Sequence, residues 1–435
     1  MARAAAQNKV ITTKENTLKT MTVSVFTLGC KTNLYESGQI IEQLNLAGHK
    51  AFHGLKQADV FVLNTCAITR EAEKKSRQLV ARARKLNPDC RVIVTGCASQ
   101  KDANQFADIP NVTAIFGVDN KTRIVNELNS VGVYVTDPSA EYFEQGSACQ
   151  ERTRAFVKIQ DGCNNFCSYC IVPYLRGRSR SRKIADIVSE VAALNSAEVV
   201  LIGIDISQFG RDTGESLPEL FKALQSFNIR VRLGSLEARV VTDELLESLT
   251  KINFCPHFHL SLQSGCDETL KRMNRKYTTE QYKAAVDKIR RVFPNAGITT
   301  DIIVGFCNET EEEFLTTCKF AEDVAFADVH VFPYSPREGT VSYNWQDVDA
   351  QVKQSRAERL GQIKQKLKRQ FAESFTGKTC SVLVERKRNG LWEGYSKEYL
   401  RVYFTGNVKP NDVVDVKITE AYLDGALGQC VTRNA

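Results

Sequence analysis

The chain has 435 residues, of which 43% are hydrophobic and 25% are charged, and its formal net charge is +7. This balance is typical of a globular protein of about two to four domains, and the mild positive charge permits a polyanionic partner without requiring one. No apolar run approaches the roughly 18 residues that cross a membrane, and residues 1–20 lack the apolar core of a secretory signal. We therefore expect a cytoplasmic protein without membrane contact, in which residues 1–20 form a disordered N-terminal segment.

Apolar and amphipathic segments alternate over residues 21–145. Four apolar runs are predicted to be buried strands, and they cover residues 22–29, 58–65, 91–96 and 113–117. Two stretches between them have the spacing of amphipathic helices, at 33–48 and 71–86. Strands and helices that alternate in this way indicate a parallel sheet covered by helices. We therefore predict an N-terminal parallel-sheet α/β domain over residues 21–145.

A second series of predicted strands follows the polar stretch 136–154, which has the composition of a linker. These strands cover residues 155–160, 198–204, 230–234, 257–262, 298–305 and 329–334. Six strand–helix units are too few for a closed eightfold barrel, so we expect a partial (βα)6 barrel over residues 150–370. Short alternating segments separated by Gly, Asn and Pro come next, and they predict a small all-β domain over residues 371–435.

Fourteen cysteines in a chain without an export signal point to metal binding or catalysis, because cytosolic thiols stay reduced. Cys30, Cys66 and Cys97 each follow a predicted strand, at intervals of about 30 residues, which is the length of one β-helix-β unit. Each therefore lies just past the carboxyl end of a parallel strand, where the ligands of open α/β sheets gather. The alternatives are buried apolar cysteines or a zinc site, although no fourth His or Cys follows an equivalent strand.

A second set, Cys163, Cys167 and Cys170, has the spacing CxxxCxxC in the loop after the first strand of the barrel. A short loop can place three thiolates around one cubic iron–sulfur cluster, which normally has four cysteine ligands. Three ligands leave one iron open to the amine and carboxylate groups of a small molecule. The alternative is a zinc knuckle, but the nearest downstream histidine is His257.

Two basic regions are candidate RNA contacts. The segment 176–183, directly after the cysteine loop, reads RGRSRSRK and contains Arg176, Arg178, Arg180 and Arg182. In the terminal domain, Arg386 and Arg388 stand near three aromatic residues. Arginine neutralises phosphates and stacks on unpaired bases, so both regions are predicted to bind RNA. The alternative for any such run is a solvated surface.

The two cysteine sets and the segments around them resemble the radical S-adenosylmethionine methylthiotransferases, and most of all the group that acts on threonylcarbamoyladenosine in tRNA. The matching segments are TLGCKTNLYES, LNTCAIT, VTGCASQ, QDGCNNFCSYCIVPYLRGRSRSR, RLGSLEAR, HLSLQSGCDETLKRMNRKYT, TDIIVGF and HVFPYSPREGT. The resemblance implies an auxiliary 4Fe-4S cluster on the first cysteine set, a radical 4Fe-4S cluster on the second, and a C-terminal domain like the RNA-binding TRAM domain.

The resemblance also implies the reaction. In this family S-adenosylmethionine is cleaved to a 5′-deoxyadenosyl radical, and the auxiliary cluster carries the sulfur that a second S-adenosylmethionine methylates. The expected product is 2-methylthio-N6-threonylcarbamoyladenosine next to the anticodon of tRNA. A flavodoxin or ferredoxin would donate electrons, and the enzyme would act as a monomer. Barrel geometry and family analogy together give the candidate S-adenosylmethionine contacts, which are Tyr169, Gly203, Asp205, Glu237, Gln263 and Ser264.

Three alternatives remain open at this stage. Two relatives of the same family type act on isopentenyladenosine in tRNA or on an aspartate of a ribosomal protein. The third belongs to another class and is a zinc-stabilised RNA-binding protein without catalysis. Each candidate cofactor contact also has a simpler interpretation, as a polar residue that caps a helix at a strand end.

Overall fold

The computed structural model describes residues 20–142 and 153–431. The predicted disordered segment lies outside the described residues except for Thr20, and so do residues 143–152, within the predicted linker. The described residues form an N-terminal α/β domain, a central partial barrel and a C-terminal all-β barrel, which confirms the predicted fold class. No helix in the described ranges is both long and apolar enough to cross a membrane.

The N-terminal domain is built on one parallel sheet. Its strands are β1 (Thr22–Thr27), β2 (Lys50–His53), β3 (Val60–Thr65), β4 (Arg91–Gly96), β5 (Val112–Phe116) and β6 (Gly132–Tyr134). Its helices are α1 (Lys31–Leu46), α2 (Arg70–Leu86), α3 (Cys97–Lys101) and α4 (Asn104–Ala107). The strand order is β2-β1-β3-β4-β5-β6. The sequence prediction misses β2 and β6, because these short edge strands are partly exposed and lack an apolar run.

Helix α2 shows how local sequence sets an element of this domain. Thr69 precedes the helix, and its side chain accepts a hydrogen bond from the backbone N–H of Ala72 at 3.1 Å. Such an N-cap satisfies one of the backbone donors that the first turn leaves free. Leu79, Val80 and Ala83 recur at helical spacing and are buried against the sheet. The helix therefore begins and faces inward as the sequence predicts.

The central domain continues the chain with alternating strands and helices. Its strands are β7 (Arg154–Lys158), β8 (Gln160–Asp161), β9 (Arg180–Ser181), β10 (Glu198–Ile202), β11 (Arg230–Leu233), β12 (Ser235–Leu236), β13 (His257–Leu260), β14 (Gly297–Val304) and β15 (Asp328–Pro333). Its helices are α5 (Val172–Arg176), α6 (Ile184–Ala193), α7 (Leu217–Ala223), α8 (Asp243–Thr250), α9 (Asp267–Arg272), α10 (Thr279–Val292), α11 (Glu311–Val324) and α12 (Ala350–Glu373).

These strands form an open barrel wall. One parallel sheet has the order β11-β10-β7, and a second has the order β12-β13-β14-β15. Only Gly234 separates β11 from β12, so the two sheets make one continuous curved wall. In the described part of the chain the end strands β7 and β15 do not pair, which leaves the barrel open along one side. Helix α12 packs against β15 at this open side and then leads to the last domain.

The C-terminal domain is a closed barrel with the strand order β16-β17-β18-β20-β19. Its strands are β16 (Thr379–Arg388), β17 (Leu391–Ser396), β18 (Arg401–Thr405), β19 (Val413–Tyr422) and β20 (Gly425–Cys430). The loop after β17 contacts the amino ends of the central strands. Arg232 donates hydrogen bonds to the backbone oxygens of Lys397 at 3.0 Å and Ser396 at 3.2 Å. The small barrel therefore closes the bottom of the partial barrel, opposite the end where the cysteine loop lies.

Candidate active site

The first cysteine set converges at one edge of the N-terminal sheet. Cys30, Cys66 and Cys97 directly follow or lie just past the ends of β1, β3 and β4, and these three strands are neighbours in the sheet. The strand order reverses between β1 and β3, because β2 lies on the other side of β1. In doubly wound sheets the crevice at such a reversal is where ligands bind. The spacing of the three cysteines in the sequence therefore corresponds to three thiols at one binding crevice.

Asn33, in the first turn of α1, ties these strand ends together. Its amide nitrogen donates to the backbone oxygens of Leu28 and Thr65, each at 3.0 Å. Its amide oxygen lies 3.6 Å from the Cys30 Sγ. The Thr65 hydroxyl donates to the Thr95 backbone oxygen at 2.6 Å and so reaches the third strand. Hydrogen bonds of this kind fix the positions of the cysteine-bearing loops relative to one another.

The glycines before two of the cysteines have no room for a side chain. Gly29 has a φ of +107°, and a Cβ there would lie 3.2 Å from the Cys66 Sγ. Gly96 has a φ of +102°, and a Cβ there would lie 2.5 Å from the Asn64 Oδ1. Only glycine adopts such backbone angles at low cost. The two glycines thus let the strand ends approach closely enough for their thiols to share a site.

The second cysteine set lies in the loop between β8 and α5. The backbone N–H of Cys163 donates to Gly177 at 3.1 Å, and that of Cys170 donates to Cys167 at 3.0 Å. Arg275, from the segment after α9, donates from Nη1 to the Cys167 Sγ at 3.2 Å. Burial, followed by the nearby Cys167, raises the pKa of the Cys170 thiol to about 12. The Cys170 thiol is therefore protonated at neutral pH until a metal displaces its proton.

The spacing of the sulfur atoms tests which metal group fits. A zinc ion holds sulfur at about 2.3 Å, so two sulfurs on one ion lie at most about 4.6 Å apart. The described residues contain one His, Cys, Asp and Glu group whose ligand atoms all lie within 4.8 Å, and it is His259, Asp301 and His330. Neither cysteine set is that compact, and all thirteen described cysteines are unpaired thiols. Three thiols in this arrangement do not match the compact sulfur set of a single zinc ion.

Two of the predicted S-adenosylmethionine contacts meet beside the second cysteine set. The Asn165 side chain donates to the Asp205 Oδ2 at 2.8 Å and to the Glu237 Oε1 at 3.0 Å. The same Asp205 oxygen lies 3.8 Å from the Cys163 Sγ. Burial, and then the nearby Glu237, raises the pKa of Asp205. These two carboxylates offer acceptors for ammonium and hydroxyl groups within reach of the cysteine loop.

The sequence analysis missed Asn165 and Arg275, which connect Asp205, Glu237 and the second cysteine set. Arg275 joins Glu237 to the cysteine loop, because its Nη2 lies 3.2 Å from the Glu237 Oε1 while its Nη1 contacts the Cys167 Sγ. Both residues belong to segments that carry the family resemblance, which was the signal available. Their roles were not readable from the sequence, since Arg275 reaches this corner only through the fold.

The other predicted contacts have different positions. A Cβ at Gly203 would lie 2.8 Å from the Gln160 Oε1, so glycine is required at the end of β10. The Tyr169 ring packs edge-on against Phe306, with the ring centroids 6.2 Å apart. Gln263 follows β13 in the left-handed conformation, with a φ of 72°, and is partly exposed. These three positions remain predicted cofactor contacts.

Ser264 also stays a predicted cofactor contact, and the structure places its side chain away from the other predicted contacts. This residue is fully buried, and its hydroxyl lies 3.1 Å from the Thr317 hydroxyl on α11. It also accepts a hydrogen bond from the backbone N–H of Cys266 at 3.2 Å. The side chain therefore stabilises the turn behind the strand end and does not face the barrel mouth.

The basic motif after the cysteine loop is mostly buried between the N-terminal domain and the barrel. The Arg176 guanidinium contacts the Glu36 carboxylate at 2.7 Å, the Asp161 carboxylate at 3.2 Å and the Asn33 amide oxygen at 2.8 Å. Burial alone would raise the pKa of Glu36, but Arg176 and its neighbouring lysines hold it well below its usual range. Arg176 also lies beside Cys97, where it opposes the rise in the thiol pKa that burial causes.

Arg180 and Arg182 are paired with carboxylates in the same way. Arg180 lies 3.0 Å from the Asp119 carboxylate in the N-terminal domain. Arg182 pairs with Glu190, which also accepts a hydrogen bond from the Tyr35 hydroxyl at 3.1 Å. A guanidinium held by buried carboxylates cannot reach an RNA phosphate. The structure therefore buries Arg176, Arg180 and Arg182 and does not support their predicted role as RNA contacts.

The remaining predicted RNA contacts are exposed. Arg178 is exposed, and its guanidinium lies over the Phe166 ring at 4.4 Å from the centroid. Arg386 and Arg388 are exposed on β16, where Arg386 pairs with Glu393 at 2.9 Å. Cations in these positions are free to meet phosphates or bases. The RNA-binding role of these three residues stays a prediction.

Replacing Arg176 by Met is expected to lower the free energy of unfolding by about 3 kcal/mol or more, because it leaves buried carboxylates short of a partner. Arg178→Met is the matched control two residues away, and its effect should stay within about 0.5 kcal/mol because the side chain is exposed. Urea denaturation of the two anaerobically purified variants measures the difference. Equal, small effects would show that Arg176 does not hold the domains together.

A cavity of about 850 Å³ lies where the three domains meet, at the open side of the barrel. It extends from Cys30 to Gly203, two residues before Asp205, so it connects the neighbourhoods of the two cysteine sets. The volume is within the range of small-molecule sites. Its lining comes from all three domains and includes Cys30, Lys31, Arg154, Gly203, His257 and Tyr399.

Two family models match the chain. The model described as the Radical SAM superfamily matches residues 157–321, and the one described as uncharacterized protein family UPF0004 matches residues 22–117. The chain is 36% identical to threonylcarbamoyladenosine tRNA methylthiotransferase MtaB of Thermotoga maritima, over 89% of this chain and 92% of that protein. It is 34% identical to tRNA-2-methylthio-N(6)-dimethylallyladenosine synthase of a Thermoanaerobacter species, over 94% of this chain and 92% of that protein.

Among solved structures, the fold is similar to that of the radical S-adenosylmethionine methyltransferase TsrM from Kitasatospora setae, with cobalamin and a 4Fe-4S cluster bound. The TM-score is 0.56, and the match covers 86% of this chain and 80% of that one at 11% identity. At this identity the likeness concerns the fold alone. It supports the same arrangement of an α/β domain beside a partial barrel.

Proposed function

The chain belongs to the radical S-adenosylmethionine tRNA methylthiotransferases, and we propose that its own reaction converts N6-threonylcarbamoyladenosine beside the anticodon of tRNA to the 2-methylthio derivative. The observation that carries this proposal is the cavity between the domains, which reaches Cys30 of the first cysteine set and Val172, two residues after Cys170 of the second, and is large enough for one flipped-out nucleoside. An enzyme that joins a sulfur source and a radical source must hold its substrate between them.

We propose that Cys30, Cys66 and Cys97 hold an auxiliary 4Fe-4S cluster, and that a radical 4Fe-4S cluster is held by the loop from Cys163 to Cys170. When bound, the two clusters and S-adenosylmethionine supply the electron, the carbon radical, the sulfur and the methyl group that no side chain can provide. Asp205 and Glu237 would orient the cofactor's ammonium and ribose hydroxyls. The cavity wall would exclude bulk water from the reacting base.

The choice of nucleoside depends on the charge of the cavity wall. Lys31, Arg154 and Arg232 line one part of it together with His257 and His259, while the acidic lining residues are Asp301, Asp328, Glu398 and Asp424. An apolar isopentenyl group would bury against cations that it cannot satisfy, whereas the threonylcarbamoyl group carries a carboxylate and a hydroxyl. The part of the wall around Lys31, Arg154 and Arg232 therefore favours threonylcarbamoyladenosine over isopentenyladenosine.

A direct assay compares two anticodon hairpin RNAs that differ only in the modified adenosine. With purified enzyme, S-adenosylmethionine and a chemical reductant, the threonylcarbamoyl hairpin is expected to gain the methylthio group at least about tenfold faster than the isopentenyl hairpin, a difference of about 1.4 kcal/mol. Mass spectrometry of the digested nucleosides measures both products. Product from the isopentenyl hairpin alone would overturn the proposed substrate.

A further inference from the structure

The floor of the cavity is a cationic surface built by all three domains. Lys31 comes from the start of α1, Arg154 and Arg232 come from the barrel, and Tyr399 comes from the small C-terminal barrel. The Tyr399 ring stacks on the His257 ring, with the centroids 4.3 Å apart and an interplanar angle of 13°. The guanidinium carbon of Arg232 lies 4.8 Å from the Tyr399 centroid and that of Arg154 lies 5.3 Å from it.

This floor has more positive than negative charge. Arg154 pairs with Glu385 at 2.8 Å, and Glu198 serves both Arg232 at 2.7 Å and the neighbouring Arg230 at 3.0 Å. Within the described ranges, the Lys31 side chain has no hydrogen bond or ion pair. With Asp301, which also lines the cavity and acts electrostatically on Lys31, three carboxylates face four cations, and Lys31 is the cation without a bonded partner among the described residues.

The nearby cations also lower the pKa values of two neighbouring groups, His257 and Tyr399. Burial lowers the pKa of His257 well below its usual range, and Arg232 lowers it further, so this imidazole stays neutral and adds no charge of its own. Burial alone would raise the pKa of Tyr399, yet the nearby cations, Arg154 first, lower it. The same potential that favours a phenolate would favour any anion that enters the floor.

We propose that Lys31 and Arg154 bind the carboxylate of the substrate's amino-acid substituent, above the Tyr399 ring. This inference rests on the proposed function and names the side chains that recognise the substrate's substituent. Lysine and arginine form strong charge-assisted hydrogen bonds with carboxylates. Lys31 directly follows Cys30, so the carboxylate contact and one auxiliary thiol are adjacent in the chain. A neutral substituent offers the Lys31 ammonium no opposite charge, which selects against it.

The test uses two hairpin RNAs, one with threonylcarbamoyladenosine and one with its methyl ester, and measures their affinity for the anaerobic holoenzyme by fluorescence anisotropy. The ester keeps the size and hydroxyl of the substituent but removes its charge. The wild-type enzyme is expected to bind the acid at least about tenfold more tightly than the ester. Lys31→Met should weaken binding of the acid about tenfold, leave binding of the ester unchanged, and so remove the preference.

Two further variants separate the charge of Lys31 from its other effects. Lys31→Arg keeps the charge and is expected to retain most of the preference for the acid. Lys368→Met removes a cation from the cavity rim, where Asp328 and Asp424 already neutralise it, so the acid-to-ester ratio should stay at the wild-type value. The iron content of each variant shows that the auxiliary site is intact.

Equal affinity of the wild-type enzyme for acid and ester would overturn this assignment without any variant. An equal loss of both affinities in Lys31→Met would also overturn it, because the floor would then bind an RNA phosphate or the cofactor's carboxylate. These results differ from failure of the proposed function, in which the threonylcarbamoyl hairpin gains no methylthio group.

Discussion

Cys167→Ala is expected to abolish the reductive cleavage of S-adenosylmethionine. Its sulfur is one of only three in the loop and is the one that Arg275 contacts, so the variant leaves two thiolates for a cluster that needs three protein ligands. The formation of 5′-deoxyadenosine with dithionite as reductant should fall by at least about a hundredfold, more than the loss of a supporting contact at a metal site usually costs. Chromatography of the reaction mixture measures it.

The matched control for this change is Cys318→Ala. Cys318 is a buried cysteine on α11 and belongs to the apolar core of the same domain. Its loss costs packing but no cluster ligand, so cleavage should continue. If Cys167→Ala cleaved the cofactor as fast as Cys318→Ala, the ligand assignment in the loop would be wrong.

Cys66→Ala is expected to separate radical formation from sulfur transfer. Cys66 follows β3, the central strand of the three that carry the first cysteine set, whereas the cleavage site lies in the other domain. Formation of 5′-deoxyadenosine should continue, while the methylthio nucleoside should fall by at least about a hundredfold. Mass spectrometry of the same reaction mixture quantifies both compounds.

Cys90→Ala serves as the control, because Cys90 is buried just before β4, at the opposite end of the strand that leads to Cys97. This variant should form both products. A normal yield of methylthio product from Cys66→Ala would show that Cys66 is not a ligand of the auxiliary cluster. Loss of both products from it would instead mean that the first domain is needed for cleavage itself.

The parts of the fold that the sequence predicts are those that local patterns determine. Apolar runs mark β1, β3 and β4, and a regular spacing places Cys30, Cys66 and Cys97 after them, so their convergence at one sheet edge follows from parallel topology alone. The CxxxCxxC loop is similarly local. No tertiary information is needed for either pattern.

The sequence does not show which residues of the basic segment 176–183 are buried. Arg176 and Arg178 are indistinguishable in a basic run, but the fold brings Glu36 to the first and leaves the second exposed. For Arg176 and Arg180, burial depends on the carboxylates of Glu36 and Asp119, which lie 140 and 61 residues away and which charge patterning along the chain cannot show. The cationic floor of the cavity could not be predicted from the sequence either. Lys31 and Tyr399 line the same cavity only because the domains pack together.

Iron and sulfide analysis of the anaerobically reconstituted protein tests the central claim most directly, since the claim is that two separate sets of three thiols each hold one four-iron cluster. The wild-type protein is expected to contain about eight irons and about eight sulfides per chain, and replacing all three cysteines of either set with alanine should halve both values. A wild-type protein with about four irons, or with zinc in place of iron, would contradict it.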